Sequence, residues 1–425
     1  MAEMKDSGIE WIGKIPKEWG LKRIQFCLEE INEKNNPIKT EQVLSLVKDK
    51  GVMLYEDKGN QGNKAKEDVS QYKVAYPNTL IVNSMNILIG SVGISNYLGC
   101  VSPVYYVFKE TDESDLRYIN YIFNTKEFQK VLRKYANGIL EIRLRVSSAD
   151  IFKRKIPVPN KSIQSKIADY LDKKCIEIDA LYSDIEKQIE TLEEYKKSII
   201  TEAVTKGLDP DVEMKDSGIE WIGMIPKEWE CKKIKYVTNL SRGIFGHRPR
   251  NDPRYYDGKY PFIQTGDVAC ATKVITNYSQ TLNELGKKVS KEFKKGTIAL
   301  TIAANVGDVS ILGFNAYFPD SIMAVIPHKE IDNMYFYYIL SIMKSEFLRV
   351  AIINTQLNLN VERVGNLYIP ITFDKNKQKE IVKYLDEKCA EIDGAIEEKK
   401  EQLETLEQYK KSLIYEYVTG KKEVK

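Results

Sequence analysis

The sequence predicts an α+β fold: two globular mixed α/β domains separated by two long antiparallel coiled-coil helices, arranged as a pseudo-twofold internal repeat. Three observations predict it. The opening "MKDSGIEWIGKIPKEW" (Met4 to Trp19) returns as "MKDSGIEWIGMIPKEW" (Met214 to Trp229), with one difference, Lys14 against Met224. The segment "YLDKKCIEIDALYSDIEKQIETLEEYKKSII" from Tyr170 returns as "YLDEKCAEIDGAIEEKKEQLETLEQYKKSLI" from Tyr384. Between each opening and its closing segment lies a long middle, and the two middles share only fragments such as "KIPVP" (Lys155 to Pro159) and "YIPIT" (Tyr368 to Thr372). A shared scaffold carrying two different surfaces accounts for this pattern, and self-similarity at fixed spacing marks a repeated architecture.

In chain order, each opening offers an apolar clasp: Trp11, Ile12, Ile15, Pro16 and Trp19, with the copies Trp221, Ile222, Ile225, Pro226 and Trp229. The first middle holds the β-rich runs "NTLIVNS" and "VYYVFK"; the second holds "YPFIQTGDV", "GTIALTIAA" and "SIMAVIP". Gly, Asn, Asp and Pro punctuate these runs as turn residues do. One helical stretch follows in each, "DLRYINYIFNTKEFQKVLRKYA" and "DNMYFYYILSIMKSEFLRVAI". In the first closing segment Leu171, Ile178, Ile185, Leu192 and Ile199 recur every seven residues, with Leu181, Tyr182, Ile189 and Tyr195 as an adjacent stripe. That is a coiled-coil seam. Its copy reads Leu385, Ile392, Lys399, Leu406 and Leu413, interrupted by the polar Lys399. Gly207 and Pro210 end the first helix, in the manner of a C-terminal Gly and a following Pro. The two helices can bury their stripes on each other; packing of each on its own domain, or pairing between chains, is the alternative.

The chain of 425 residues is long enough for two or more domains. Its net charge of +3 is close to neutral, so nucleic-acid affinity must come from local clusters of Lys and Arg. Six cysteines show no CxxC pair, and reduced thiols are expected. The sequence has no secretory signal pattern and no apolar run approaching the ~20 residues of a membrane span, so a cytoplasmic protein is expected.

The openings "SGIEWIGKIPKEW" and "SGIEWIGMIPKEW", the strand "YPFIQTGDV", the tract "NTQLNLN" before "LYIPI", and the helix starts "IQSKIADYLD" and "KQKEIVKYLD" resemble the specificity subunits of Type I restriction–modification systems. The resemblance spans essentially the whole chain. It implies that residues 1–160 and 208–374 are target recognition domains, each reading one half of a split DNA sequence. Residues 161–207 and 375–425 are then spacer helices that dock two methyltransferase subunits. It further implies a non-catalytic chain that directs adenine methylation and restriction by partner subunits. S-adenosylmethionine, ATP and Mg belong on those partners, with no cofactor on this chain. The first middle departs from the pattern, reading "EIRLRVSS" (Glu141 to Ser148) where the second has its Asn/Gln-rich tract.

The residues themselves agree with a non-enzyme. No Gly-rich phosphate or dinucleotide loop is present, nor an Asp/Asn-Pro-Pro-aromatic run of an amino-methyltransferase. His247 and His328 are isolated, which predicts no metal site. "PDVEMK" (Pro210 to Lys215) spells a nuclease-like pattern, but metal-dependent cleavage needs carboxylates that converge from neighbouring strands.

The strongest candidate DNA-binding stretch is "SRGIFGHRPRNDPRYYDGKYPF" (Ser241 to Phe262), with Arg242, His247, Arg248, Arg250 and Arg254 among Phe245, Tyr255 and Tyr256. Arginine contacts phosphates or pairs with a guanine edge. Gln264 and Thr265 follow it, and Gln suits an adenine edge. In the first middle, Asn60, Gln61 and Lys64 lie in a polar loop, and Arg143 and Arg145 share one face if "EIRLRV" is a strand. Gln356 and Asn358 alternate in the same way in "TQLNLN". A solvated surface is the alternative reading of each, and the competing function is then a coiled-coil scaffold whose globular ends bind proteins.

Overall fold

A computed structural model describes residues 3–48, 50–59, 68–138, 144–353 and 357–424. The chain forms two compact units, one of residues 1–186 with 400–425 and the other of residues 187–399. Each unit therefore takes in part of both long helices, which span Lys161–Lys206 and Lys375–Val418.

In the first unit the opening forms a hairpin, Met4–Asp6 against Lys14–Pro16. The Asp6 carboxylate accepts the Gly8 N–H at 3.0 Å, and Gly8 and Gly13 both take φ of +67°, which a side chain would oppose. Ile12, Ile15, Trp11 and Trp19 are buried behind it. The main sheet has four antiparallel strands in the order Leu28–Ile31, Tyr105–Glu110, Thr79–Asn83, Val92–Ser95. The single helix expected after it is two, Leu116–Phe123 and Lys126–Arg133. Thr125 causes the break, because its hydroxyl caps the second helix by accepting the Phe128 N–H.

The second unit repeats the opening as Met214–Asp216 against Met224–Pro226. Its middle repeats the order of those four antiparallel strands and adds to them. A five-stranded sheet runs Thr238–Arg242, Ile322–Pro327, Ile298–Thr301, Val309–Leu312, Val274–Ile275, with only the last pair parallel. A four-stranded sheet, Gln280–Leu282, Tyr256–Phe262, Ala316–Tyr317, Glu292–Phe293, is added to it. The run "YPFIQTGDV" is strand only to Phe262; Thr265–Cys270 is helical, since Asp267 accepts the Gln264 N–H at 2.7 Å and fixes the first turn. The helical stretch after this middle also divides, into Asn333–Ser341 and Lys344–Val350.

The same tethers hold helix to domain in both units. Gln164 is buried, accepts the Asp115 N–H at 3.0 Å and donates to the carbonyls of Pro159 and Glu113 at 2.8 and 3.1 Å. Gln378 does the same with Asp332, Thr372 and Glu330. Tyr121 donates to Asp172 at 2.7 Å and Tyr338 to Asp386 at 2.6 Å; burial first, then the carboxylate, raises both phenols far above the usual tyrosine range. The neighbouring cation is Arg117 in the first unit and Lys273, from a different element, in the second.

The long helices pair antiparallel. In the first unit the Tyr170 and Tyr417 rings lie 4.6 Å apart and Lys410 bonds Asp179 at 2.6 Å. In the second unit Lys196 bonds Asp393 at 2.7 Å. Leu171, Ile178, Leu385, Ile392 and Leu413 are buried in the seam, while Ile185, Leu192, Ile199, Lys399 and Leu406 are half-buried. Two members of the expected adjacent stripe lie elsewhere: Leu181 and Tyr195 are 54% and 56% exposed. The second line of the seam is Cys175, Tyr182, Ile189 and Lys196, four residues after each heptad position, which leaves Leu181 and Tyr195 facing outward.

Each helix ends at a glycine beneath an opening. Gly207 (φ +79°) lies against Trp229 and Pro226, and Gly420 (φ +69°) against Pro16 and Trp19. In the first unit the Tyr118 hydroxyl lies 2.9 Å from the Pro157 carbonyl and 2.8 Å from that of Val418, sharing one proton between two buried acceptors. Tyr118→Phe is expected to destabilise the first unit by about 1–3 kcal/mol, because two acceptors lose their donor. Tyr335, its counterpart, has a buried hydroxyl that meets no acceptor at full hydrogen-bonding geometry among the described residues, the Thr372 backbone being the group beside it, so Tyr335→Phe is expected to cost less than Tyr118→Phe. Urea unfolding of the two variants checks the contrast.

Candidate nucleic-acid interface

The arginine-rich stretch is a loop leaving the edge of the five-stranded sheet at Arg242 and rejoining a strand at Tyr256. Its departure needs glycine: a Cβ on Gly243 would lie 2.2 Å from the Pro319 carbonyl and 2.5 Å from that of Phe318. The Gly243 N–H donates to Ile322 at 2.8 Å, locking the loop's base to the turn that carries Asp320. Phe245 is buried and stacked on Tyr256, with ring centres 5.7 Å apart, and Phe262 lies 5.4 Å away. This aromatic anchor fixes the loop's two ends and leaves its cationic tip exposed.

Four of the five basic candidates on this loop and at its base are arginines in defined bonds. Arg248 donates from Nη1 to the carbonyls of Phe245 and His247 at 2.7 and 2.8 Å, and from Nη2 to Asp320 at 3.3 Å. Arg250 bonds the other oxygen of the same carboxylate. Arg242 donates from Nε to the Asp320 backbone carbonyl. Arg254 grips Asp252 with Nε at 3.0 Å and Nη2 at 2.7 Å. That grip, aided by the Arg254 N–H and by His247, holds the Asp252 carboxyl well below the usual range, so the pair stays charged at any physiological pH. His247 lies 3.0 Å from Asp252 and stacks on Tyr255 at 4.1 Å. The loop is thus a preorganised array rather than a set of independent cations.

Gln264 donates to the Gln280 side chain at 2.8 Å, and Thr265 is the first residue of the short helix. Both sit at the strand end beyond the loop. Asn358 belongs to the two-residue strand Leu357–Asn358, bridged to Ala303, and Asn360 caps the helix Val361–Gly365 by accepting the Arg363 N–H at 2.8 Å. In the first unit Arg145 is exposed and pairs through its backbone with Asn137. Asn60, Gln61, Lys64, Arg143 and Gln356 lie outside the described residues.

Sequence reasoning missed Asp320 and Lys291. Asp320 lies 70 residues from Arg250 along the chain, and Lys291 donates to the Ser241 hydroxyl at 2.7 Å. Neither stands in a local pattern; only sheet pairing brings them to the loop. Of the "PDVEMK" carboxylates, Glu213 pairs with Lys227 at 2.8 Å. Among the described residues no group of three His, Cys, Asp or Glu is placed to hold a metal ion, and no helix is long and apolar enough to cross a membrane.

Comparison with known proteins gives a consistent picture. The family model described as Type I restriction modification DNA specificity domain matches residues 226–407. The putative type I restriction enzyme MjaX specificity subunit of Methanocaldococcus jannaschii is 26% identical over 97% of this chain and 96% of its own length. The MjaVIII specificity subunit of the same organism is 25% identical over 64% of this chain and 63% of its own length. A solved chain from work on complex assembly and conformational transition of the type I R-M system superposes with a TM-score of 0.73 at 13% identity, covering 95% of this chain and 98% of that one. The HsdS subunit from Thermoanaerobacter tengcongensis gives 0.50 at 13% identity over 96% and 98%. At such identities the structural likeness speaks for the fold.

Proposed function

Since the chain belongs to the specificity subunits of Type I restriction–modification systems, we propose that it reads a two-part DNA target, one part with each unit, and directs partner subunits to it. As a specificity subunit it is the non-catalytic, DNA-recognising member. The partners in this reading are two methyltransferase subunits, acting at adenine, and restriction subunits; S-adenosylmethionine, ATP and Mg are theirs. The observation that carries the two-part reading is the internal repeat. The openings, the order of four antiparallel strands, the glutamine tethers and the Tyr–Asp bonds are built twice, while the additions differ: two two-stranded ladders in the first unit, and a fifth, parallel strand with a separate four-stranded sheet in the second. A scaffold kept identical beneath surfaces allowed to differ suits a molecule whose two outer surfaces read different sequences.

In the second unit Arg242, Arg248, Arg250 and Arg254 supply the cationic face, with His247, Gln264, Thr265 and Asn358 as further hydrogen-bonding groups. In the first unit Arg145 is the candidate among the described residues. Contacts from such arginines to phosphate position the protein, and those to base edges specify the sequence.

Methylation mapped in cells with and without the gene tests the reading: a split, two-part methylated motif is expected to vanish with the gene. If no such motif is lost, the reading fails. Duplex binding across salt separates it from a protein-binding scaffold. Each phosphate contact is expected to add about 0.9 to the slope of log affinity against log salt, and a scaffold shows no such slope.

A further inference from the structure

Three arginines converge on one residue. Asp320 stands in the turn between Ala316–Tyr317 and Ile322–Pro327. Its two carboxylate oxygens each take a different guanidinium, Arg248 and Arg250, while its carbonyl takes Arg242. The turn is rigid. Phe318, fully buried, stacks on Phe293 with ring centres 4.0 Å apart and planes 8° apart, and the close approach of Gly243 holds the turn from the other side. The arginines, in contrast, remain reachable, with side chains 55% and 48% exposed for Arg248 and Arg250.

Two mobile guanidiniums at such a tip would bind any phosphate. Tied to a common carboxylate, they lose part of that indiscriminate attraction and gain a fixed direction. Arg250 spends one Nη2 hydrogen on Asp320 and makes no further side-chain bond among the described residues, so the other edge of its guanidinium, where the second Nη2 hydrogen lies beside a neighbouring N–H, stays open. A guanine edge, with its two acceptors O6 and N7, fits donors presented in that way. Lys291, joined to Ser241 beside the loop, keeps the local charge positive despite the carboxylate.

We propose that Asp320 is a positioning residue for sequence reading: it aims Arg248 and Arg250 as a pair at a guanine-bearing base pair of one half-site and restrains them from binding phosphate. This rests on the DNA-reading function proposed above. The tests are Asp320→Ala and Asp320→Asn in the full chain, read by methylation mapping in cells and by duplex binding of the purified chain across salt. For Asp320→Ala, binding to duplex lacking the target is expected to tighten, and its salt slope to steepen by about one. Discrimination at a guanine position of one half-site is expected to fall about tenfold, with the other half-site unchanged. Asp320→Asn retains an acceptor without the charge, and is expected to restore part of the discrimination while non-target binding stays raised.

Wild-type discrimination and wild-type non-target binding in Asp320→Ala would overturn the proposal, and so would equal loss at both half-sites, which marks a merely structural role. A wild-type chain that directs no two-part methylation would overturn the DNA-reading function instead.

Discussion

Alanine at both Arg248 and Arg250 is expected to erase the reading of one half-site and leave the other intact. Each good pairing of a guanidinium with a base edge contributes about 1–3 kcal/mol of discrimination. Losing the pairing at that guanine therefore removes about 1–3 kcal/mol, a factor of roughly 5 to 150. The fold survives the change, because the loop's base is held by the Phe245–Tyr256 stacking and the Gly243 contact; what is lost is local, the Arg248 bonds to the Phe245 and His247 carbonyls. Asp320 is left without those two partners, but it is partly exposed and water can solvate it. The measurement is the methylated motif in cells carrying the double variant. Degeneracy confined to one half is the expected result; equal degeneracy in both halves, or in neither, contradicts the assignment of the loop.

Lengthening both long helices together is expected to change the spacing of the motif and none of its letters. Seven residues inserted after Glu186 and seven after Lys399 preserve the heptad phase, so the seam of each unit keeps its pairs, Lys410 with Asp179 and Lys196 with Asp393. Each helix grows by about 10.5 Å at ~1.5 Å per residue. That length corresponds to about three base pairs of duplex at ~3.4 Å each. The expected motif keeps its two half-sequences and widens the gap between them by that amount. Insertion of four residues in place of seven shifts the seam out of phase and is expected to abolish methylation. An unchanged gap after the seven-residue insertions would show that the helices do not set the spacing.

The parts of this fold written in short-range patterns were legible before the structure. The Gly207 stop marks the end of the first long helix to within a residue, and the seven-residue recurrence from Leu171 to Ile199 lies wholly inside it, because helix periodicity and capping are decided by neighbours in the chain. The breaks at Thr125 and before Lys344 were not legible, since a single capping hydroxyl or a change of direction outweighs a continuous apolar pattern. Leu181 and Tyr195 misled because apolar character alone does not say which side of a heptad line faces the partner. The site was half visible. Arginine clustering marked the loop, but Asp320 and Lys291 reach it only through pairings of strands far apart in sequence. No inspection of residues 241–262 could show that the cations are already held.

The division of the chain between the two units bears on how the molecule is made. Residues 187–399 form one unit from a continuous segment, whereas the other needs residues 400–425 to complete the core around Tyr118, Trp11 and Leu171. A ribosome delivers these segments in order. The unit whose first residues emerge earliest must therefore wait, with part of its apolar interior uncovered, until the last helix turns arrive, while the later unit can close as soon as its own segment is out. The first unit is thus expected to complete its core after the second, although most of its residues are made first.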